Sequence, residues 1–443
     1  MTEKTQSFFE KNAVIIKISA IAFLSLMLLI PTAMIQSLVS ERQQRLNEAT
    51  HEISSKWGTE QQITGPILTI PYYSHDYDTE KKAEVLTRHL AYFLPENLDV
   101  TGDMSPEVRY RGIFQVAVYN TNLNFSGKFK KPTFDASKKL DVMWEDAYIT
   151  VGISDLRGIK ENIKFGWNGK EVECDPGVKS NSLVESGITI NNALSALDEE
   201  PEYKFNFNIS LNGSRSLNLV PVGKETKARI TSSWQNPSFD GAFLPETREI
   251  SEEGFDAQWH VLELNRNFPQ HWDDYKVRLS EAAFGVSLLL PVDTYQITER
   301  SMKYAILFIS LTFMVFFFIE IMRKLRVHPV QYILVGFGLV LFYLLLLSLA
   351  EQMHFAVAYL IASIGIITMI TSYSLSIFKN KKLAAMMAGI LILLYVFLYI
   401  LLQMQDYALL MGSIGLFIIL STIMYLSRKI DWYAINEGSK GEL

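Results

Sequence analysis

Cysteine is nearly missing from this chain: Cys174 is the only one in 443 residues. A disulfide framework, which needs cysteines in pairs, is thereby excluded. A surplus of positive charge is missing too. The 41 Lys and Arg against 47 Asp and Glu give a net charge of −6, with an isoelectric point near 5.8. That balance disfavours nucleic-acid binding, which needs a basic surface. Local catalytic signatures are also lacking. No H-E-x-x-H, P-loop, G-x-G-x-x-G or G-x-S-x-G occurs, so the metalloprotease, nucleotide and hydrolase-elbow motifs are unavailable. None of the seven histidines has zinc-ligand spacing. The nearest approach, His75-Asp76-Tyr77-Asp78, reads as a solvated turn between strands. No metal and no cofactor is expected. Spacing is silent on a Ser–His–Asp triad, whose members need not be adjacent, and the expectation is a protein without enzymatic activity. Cys174 reads as a small buried filler, with a free or intermolecularly paired thiol as the alternative. Disorder is excluded by an aromatic content of 12%.

What is present is unevenly spread. The mean hydropathy of +0.13 averages two unlike populations. Several stretches are mainly apolar over the roughly 20 residues that cross a hydrocarbon core. Six such spans are expected, over 18–39, 303–322, 330–350, 355–378, 383–403 and 407–426. The first is too long for a signal-peptide apolar region and reads as an uncleaved anchor. Lys4, Lys11 and Lys17 precede it; Arg323, Lys324 and Arg326 follow the second span; Lys379, Lys381 and Lys382 follow the fourth; Arg428, Lys429 and Lys440 follow the sixth. The gaps around Glu351–His354 and Gln403–Asp406 carry neither Lys nor Arg. The positive-inside rule then places both tails, 1–17 and 427–443, in the cytoplasm. Within the spans, Glu320 is expected to pair with Arg323 and Lys324 one turn on. Gly336-Phe337-Gly338 reads as a helix-packing surface.

Residues 40–302 must then lie outside the cytoplasm. They open on a helical stalk, with Leu38, Arg42, Arg45, Leu46, Ala49, Ile53 and Trp57 on a three- and four-residue spacing and Gly58 as the stop. The period then changes to two. Strands are expected over Ile67–Ile70, Ile113–Tyr119, Tyr148–Ile153, Phe205–Leu211 and Val286–Leu290. An Asn-Thr-Asn turn is expected after Tyr119, and a tight hairpin at Asn212-Gly213 with Arg215–Val220 returning. The fold class is therefore a six-span α-helical membrane protein with a large, mainly-β, sandwich-like periplasmic domain. That domain is acidic, and the rest of the chain is basic.

A set of segments carries a family likeness. In the membrane part these are HPVQY from His328, LFYLLLLSLAE ending at Glu351, and LLQMQDYALLMGS around Asp406. In the outer part they are GPILTIPY from Gly65, RYRGIF from Arg109, SDLRGI from Ser154, WQNPSFDGAFLP from Trp234 and GFDAQW from Gly254. Across nearly its whole length the chain resembles the CreD family of bacterial inner-membrane proteins. The resemblance implies a multi-pass inner-membrane location, expression tied to an envelope or nutrient response, and a link to colicin tolerance. It supplies no catalytic residues. His328, Glu351 and Asp406 stand in its most recognisable membrane motifs and are the candidate functional positions, with His328 also suited to cap the helix that Pro329 opens. The expected role is maintenance of envelope integrity by non-enzymatic binding. The expected partners are the lipid bilayer and an envelope protein, glycan or lipid, with no nucleic acid; the oligomeric state is left open. A transporter or lipid-handling protein, an envelope sensor and a membrane-embedded hydrolase are the rival readings.

Overall fold

The computed structural model describes residues 13–428, apart from 79–82, 136, 138, 192–193, 195–200, 291–293, 324, 326 and 405–406. The chain divides into two compact units, one of Met1–Arg45 with Val292–Leu443 and one of Leu46–Pro291.

The first unit is helical. Helix α1 (Ala13–Met27) is followed by α2 (Leu29–Trp57), whose residues from Leu46 onward belong to the second unit. The unit resumes with α3 (Thr294–Lys303), α4 (Ala305–Arg323), α5 (Pro329–Ala350), α6 (Phe355–Phe378), α7 (Lys381–Gln403) and α8 (Ala408–Ser427). Among the described residues, five helical stretches are long and apolar enough to cross a membrane: Ile15–Trp57, α4, α5, α6 and α7. The expected sixth span falls on α8, whose apolar stretch is Leu409–Tyr425. At 20 residues and 1.5 Å per residue α8 is about 30 Å long. Local chemistry sets the helix ends. Asn380 Oδ1 accepts from the Lys382 and Leu383 amides at the start of α7, and Lys379 closes α6 at φ 49°. Gly336 is a close-packing position: a Cβ there would lie 2.1 Å from Leu28 Cδ1 and 2.9 Å from Phe313 Cζ.

The second unit starts with the end of α2. Its indole Nε1–H at Trp57 donates to the Tyr119 carbonyl at 3.2 Å, and the Arg109 guanidinium stacks 3.7 Å above the Trp57 ring. Gly58 follows at φ 147°. The strands are β1 (Gln61–Asp78), β2 (Ala83–Phe93), β3 (Asn97–Arg111), β4 (Phe114–Lys130), β5 (Leu140–Val142), β6 (Tyr148–Ile153), β7 (Phe165–Trp167), β8 (Lys170–Val172), β9 (Asp175–Pro176), β10 (Gly187–Ile190), β11 (Glu202–Ser214), β12 (Ser216–Val220), β13 (Glu225–Ser232), β14 (Pro237–Gly241), β15 (Thr247–Ser251), β16 (Gly254–Leu262), β17 (His271–Asp273) and β18 (Phe284–Leu288). They form two sheets. One has ten strands in the order β14-β18-β12-β1-β6-β10-β9, with β2 and β5 on the far half of β1 and β17 beyond β2. The other has eight, β15-β16-β13-β3-β4-β11-β7-β8. Each is mixed, since β1 with β12 and β3 with β13 run parallel. One continuous apolar core draws on both, including Leu68, Tyr119, Phe125, Ile149, Trp259 and Phe284.

Three expectations are corrected here. Asn120-Thr121-Asn122 is not a turn; β4 runs through it, paired to β3 on one side and β11 on the other. Thr121, Leu123 and Phe125 are buried while Asn122 and Asn124 face out, so the period of two never breaks. Asn212-Gly213 is not a hairpin either. β11 continues through both residues, and Gly213 is opposite Tyr119. Glycine is needed there for space, because a Cβ would lie 2.3 Å from the Tyr119 hydroxyl. The chain turns instead at Arg215, φ 64°, and β12 enters the other sheet. Finally, His75-Asp76-Tyr77-Asp78 is strand rather than turn, paired with β2 to its end.

Candidate functional site

In the helical unit the candidate positions are held as structural devices. His328 Nδ1 accepts from the Val330 amide at 3.3 Å, and Gln331 Oε1 accepts from the His328 amide at 3.0 Å. The histidine therefore caps α5 in the manner of an N-cap side chain. Glu351 stands at the other end of the same 22-residue helix, about 33 Å away at 1.5 Å per residue. Tyr295 donates its hydroxyl to Glu351 Oε1 at 3.0 Å, and Arg42 Nε is 3.6 Å from the same oxygen. His328 and Glu351 thus belong to no common site. Asp406 lies outside the described residues.

Among the described residues of this unit, Glu320 carries the most buried charge, at 4% exposure. Its carboxylate accepts from Lys17 Nζ, from the Val327 amide at 2.8 Å and from the Tyr332 hydroxyl at 2.9 Å. Sequence spacing assigns it to Arg323 and Lys324. Arg323 instead faces outward, Lys324 lies outside the described residues, and the partner is Lys17 of α1. Three donors on one carboxylate satisfy the charge at this depth.

In the β unit two histidines sit on opposite faces of the hairpin formed by β1 and β2, as the alternation of strand side chains dictates. His75 is held between Glu84 Oε1 at 3.0 Å and Asp141 Oδ2 at 2.8 Å, and Lys139 donates to Glu84 at 2.7 Å. On the other face, His89 Nε2 is hydrogen-bonded to Ser74 Oγ at 2.8 Å, and its Nδ1 meets Asp274 Oδ2. Tyr72, also on that face, stacks on His89 with ring centroids 5.1 Å apart. Burial first, and then Asp273 and Asp274, push the Tyr72 phenol up to about 12, so it stays neutral. Among the described residues no group of His, Cys, Asp and Glu is arranged to hold a metal ion. Cys174 is a half-buried free thiol, pushed up to about 11 by burial and by Asp175.

Asp155, within SDLRGI, is a buried carboxylate at the root of β1. It accepts from the Thr59 amide and hydroxyl at 3.0 and 3.1 Å, and from the Arg157 amide and Nε at 3.1 and 2.9 Å. Burial opposes its ionisation, but these donors outweigh burial and hold the carboxyl down to about 2.

The outward face of the eight-stranded sheet carries an ordered set of exposed polar side chains. Register places Asn206, Ser126, Asp99, Lys227 and His260 in one row across five strands. Asn208, Asn124, Thr101, Arg229 and Gln258 form the next. The Asn208 amide donates to Asn124 Oδ1 at 2.8 Å, and Arg229 pairs with Asp256 through Nε at 3.1 Å. Lys227 and His260 share Glu225, at 2.9 and 3.0 Å. Two shallow grooves of about 390 and 450 Å³ cross this face and share Asp99 and Thr101. The signal was in the sequence as asparagines two apart at 120, 122 and 124 and at 206 and 208.

Residues 13–433 match the family model described as "Inner membrane protein CreD". A curated relative, the inner membrane protein CreD of Escherichia coli (strain K12), is 33% identical over 351 residues, covering 76% of each chain. Among solved structures, an M1 zinc metallopeptidase from Deinococcus radiodurans aligns at 9% identity and a TM-score of 0.21, over 44% of this chain and 42% of that one. A second structure of that enzyme, with a bound Tyr-Ser-Ala substrate, scores 0.21 at 8% identity over the same shares. Likeness at that level bears on neither fold nor chemistry.

Proposed function

The chain belongs to the CreD family of inner membrane proteins, and we propose that it maintains cell-envelope integrity by holding envelope glycan, without chemistry, on the outward face of its eight-stranded sheet. In this reading the protein is multi-pass, both termini are cytoplasmic and the β unit is periplasmic. The Lys and Arg clusters of alternate gaps support that orientation. The observation that carries the proposal is the two-row grid around Asp99 and Thr101. Its amides and hydroxyls offer donors and acceptors side by side, and its charges are largely cancelled by neighbours on the same face. The uncharged, hydroxyl- and amide-rich saccharide strand of an envelope glycan fits such a surface. An apolar protein partner would seek aromatic anchors in its centre, and an anionic polymer would meet Asp99 and Asp103 in an acidic unit. The transporter reading has less support, since Glu320 and Glu351 each already hold a cation and a phenol.

Full-length protein in detergent micelles, mixed with purified peptidoglycan sacculi and centrifuged, tests this. Wild type is expected to sediment with the sacculi. The double variant Asn124→Ala/Asn208→Ala, at two exposed positions, is expected to bind at least about tenfold more weakly. Equal sedimentation of the variant, or none of the wild type together with unchanged detergent sensitivity of a deletion strain, would defeat the proposal.

A further inference from the structure

The other face of the β1–β2 hairpin carries a constellation with a different meaning. Ser74, His89 and Asp274 are separated by 15 and 185 residues in the chain, yet they are linked in series. Ser74 Oγ is 2.8 Å from His89 Nε2, and Asp274 Oδ2 is bonded to His89 Nδ1. Register explains the first link: Tyr72 is opposite His89 and Ser74 opposite Thr87, so Ser74 and His89 are diagonal neighbours on one face. Asp274 is fixed by its own backbone. Its amide donates to the Leu90 carbonyl at 3.1 Å, its Oδ1 accepts from the Leu90 amide at 2.9 Å, and it holds φ 47°. That left-handed conformation is uncommon for a residue with a side chain, though aspartate tolerates it, and here it aims the carboxylate at the imidazole. β5 ends at Leu140, opposite Ser74, so past Ser74 that edge of β1 has no strand partner among the described residues. The imidazole is partly exposed and reachable, at 24%.

We infer that Ser74, His89 and Asp274 form a nucleophile, base and positioning residue for hydrolysis of uncharged carboxylic esters. Ser74 Oγ attacks the ester carbonyl carbon and passes its proton to His89 Nε2. The C–O bond to the alcohol breaks, and the alcohol leaves with that proton. Water then attacks the acyl-serine and gives a proton to Nε2; the acyl–Oγ bond breaks, Oγ recovers the proton and the carboxylic acid departs. Asp274 accepts from Nδ1–H throughout, which fixes the tautomer that leaves Nε2 free to act as base. An anionic substrate is disfavoured because Asp273 and Asp274 border the site, and an apolar acyl group is favoured because Tyr72 continues through Phe134, ring centroids 5.6 Å apart, into an aromatic surface. This activity rests on residues that the glycan-binding face does not use.

The test uses the full-length protein in detergent. A fluorophosphonate probe is expected to label Ser74, identified by peptide mass spectrometry, and p-nitrophenyl butyrate to be hydrolysed. Ser74→Ala and His89→Gln should each lower that rate by at least about a hundredfold. Asp274→Asn should lower it as well, and Asp274→Glu should restore part of it, which a merely structural aspartate would not do. Sacculus sedimentation should be unchanged in Ser74→Ala. As a readout independent of turnover, the thiol of Ser74→Cys should react with iodoacetamide at pH 6 at least about tenfold faster than Cys174 of the same protein. Absence of label at Ser74 in the wild type, with an ordinary thiol in Ser74→Cys, overturns the inference.

Discussion

Lys17 donates its ammonium to the buried carboxylate of Glu320 across 303 residues of sequence. The pair ties α1 to α4 inside the helical unit. Breaking a buried pair from one side leaves a charge without its counterion, which is costlier than removing both. Lys17→Ala is expected to destabilise this unit by about 1–3 kcal/mol, because Glu320 keeps only the Val327 and Tyr332 donors. The double variant Lys17→Met/Glu320→Gln should recover most of that loss. Thermal unfolding in detergent, read by helix circular dichroism, measures both. A double variant no better than the single would contradict this account.

Asp155 gives the β unit a dependence on acid. Its folded-state carboxyl is held down to about 2, below the ordinary value near 3.8. The unfolded chain therefore takes up the proton first as pH falls. The stabilisation is complete above about pH 4 and is lost progressively as pH drops toward 2. Tryptophan-detected unfolding between pH 2 and 5 should show stability rising with pH. Asp155→Asn should flatten that rise and lower stability at pH 7, since an amide cannot replace a carboxylate that accepts from both Thr59 and Arg157.

Gly213 tests the correction made at the end of β11. A tight-turn glycine at positive φ would tolerate asparagine far better than alanine, whereas at a packed strand position the added Cβ itself is what costs. Because it lies against the fully buried Tyr119, whose hydroxyl donates to the Ser216 carbonyl at 2.7 Å, Gly213→Ala should destabilise by about 1–3 kcal/mol through overpacking. Gly112, at the exposed tip between β3 and β4 and with open space around it, is the comparison site. Gly112→Asn should change the midpoint far less. Equal effects would refute the packing explanation.

Local pattern was legible wherever one rule decided the outcome. Tyr148–Ile153 reads as a strand and is one, with all six residues buried. Apolar runs between Ala305 and Gln403 read as spans and form helices long enough to cross. Misreading came where a local signal competed with packing. Asn212-Gly213 has turn chemistry, but the ring of Tyr119 claims its missing side chain. Asn120-Thr121-Asn122 has turn composition, but Thr121 and Leu123 continue the inward alternation. Glu320 was assigned to the nearest cation, because spacing along one helix cannot show another helix's lysine. His328 and Glu351 were visible as residues of interest, and their partners Val330, Tyr295 and Arg42 were not. Ser74 with His89 and Asp274 left no trace in sequence order, since strand register alone brings them into line.

The order of strands has one more consequence. β1 and β2 lie in the ten-stranded sheet, β3 and β4 in the eight-stranded one, β5 and β6 in the first again, and the chain keeps changing sheets up to β18. The two sheets are woven by a single thread. No cut within Leu46–Pro291 can release one sheet intact, so a deletion at any depth leaves unpaired strand edges, the usual route to aggregation. Both surfaces argued for above therefore stand or fall with the whole fabric. Its assembly must also await the last strand, some two hundred residues after the first, which makes for slow, non-local folding.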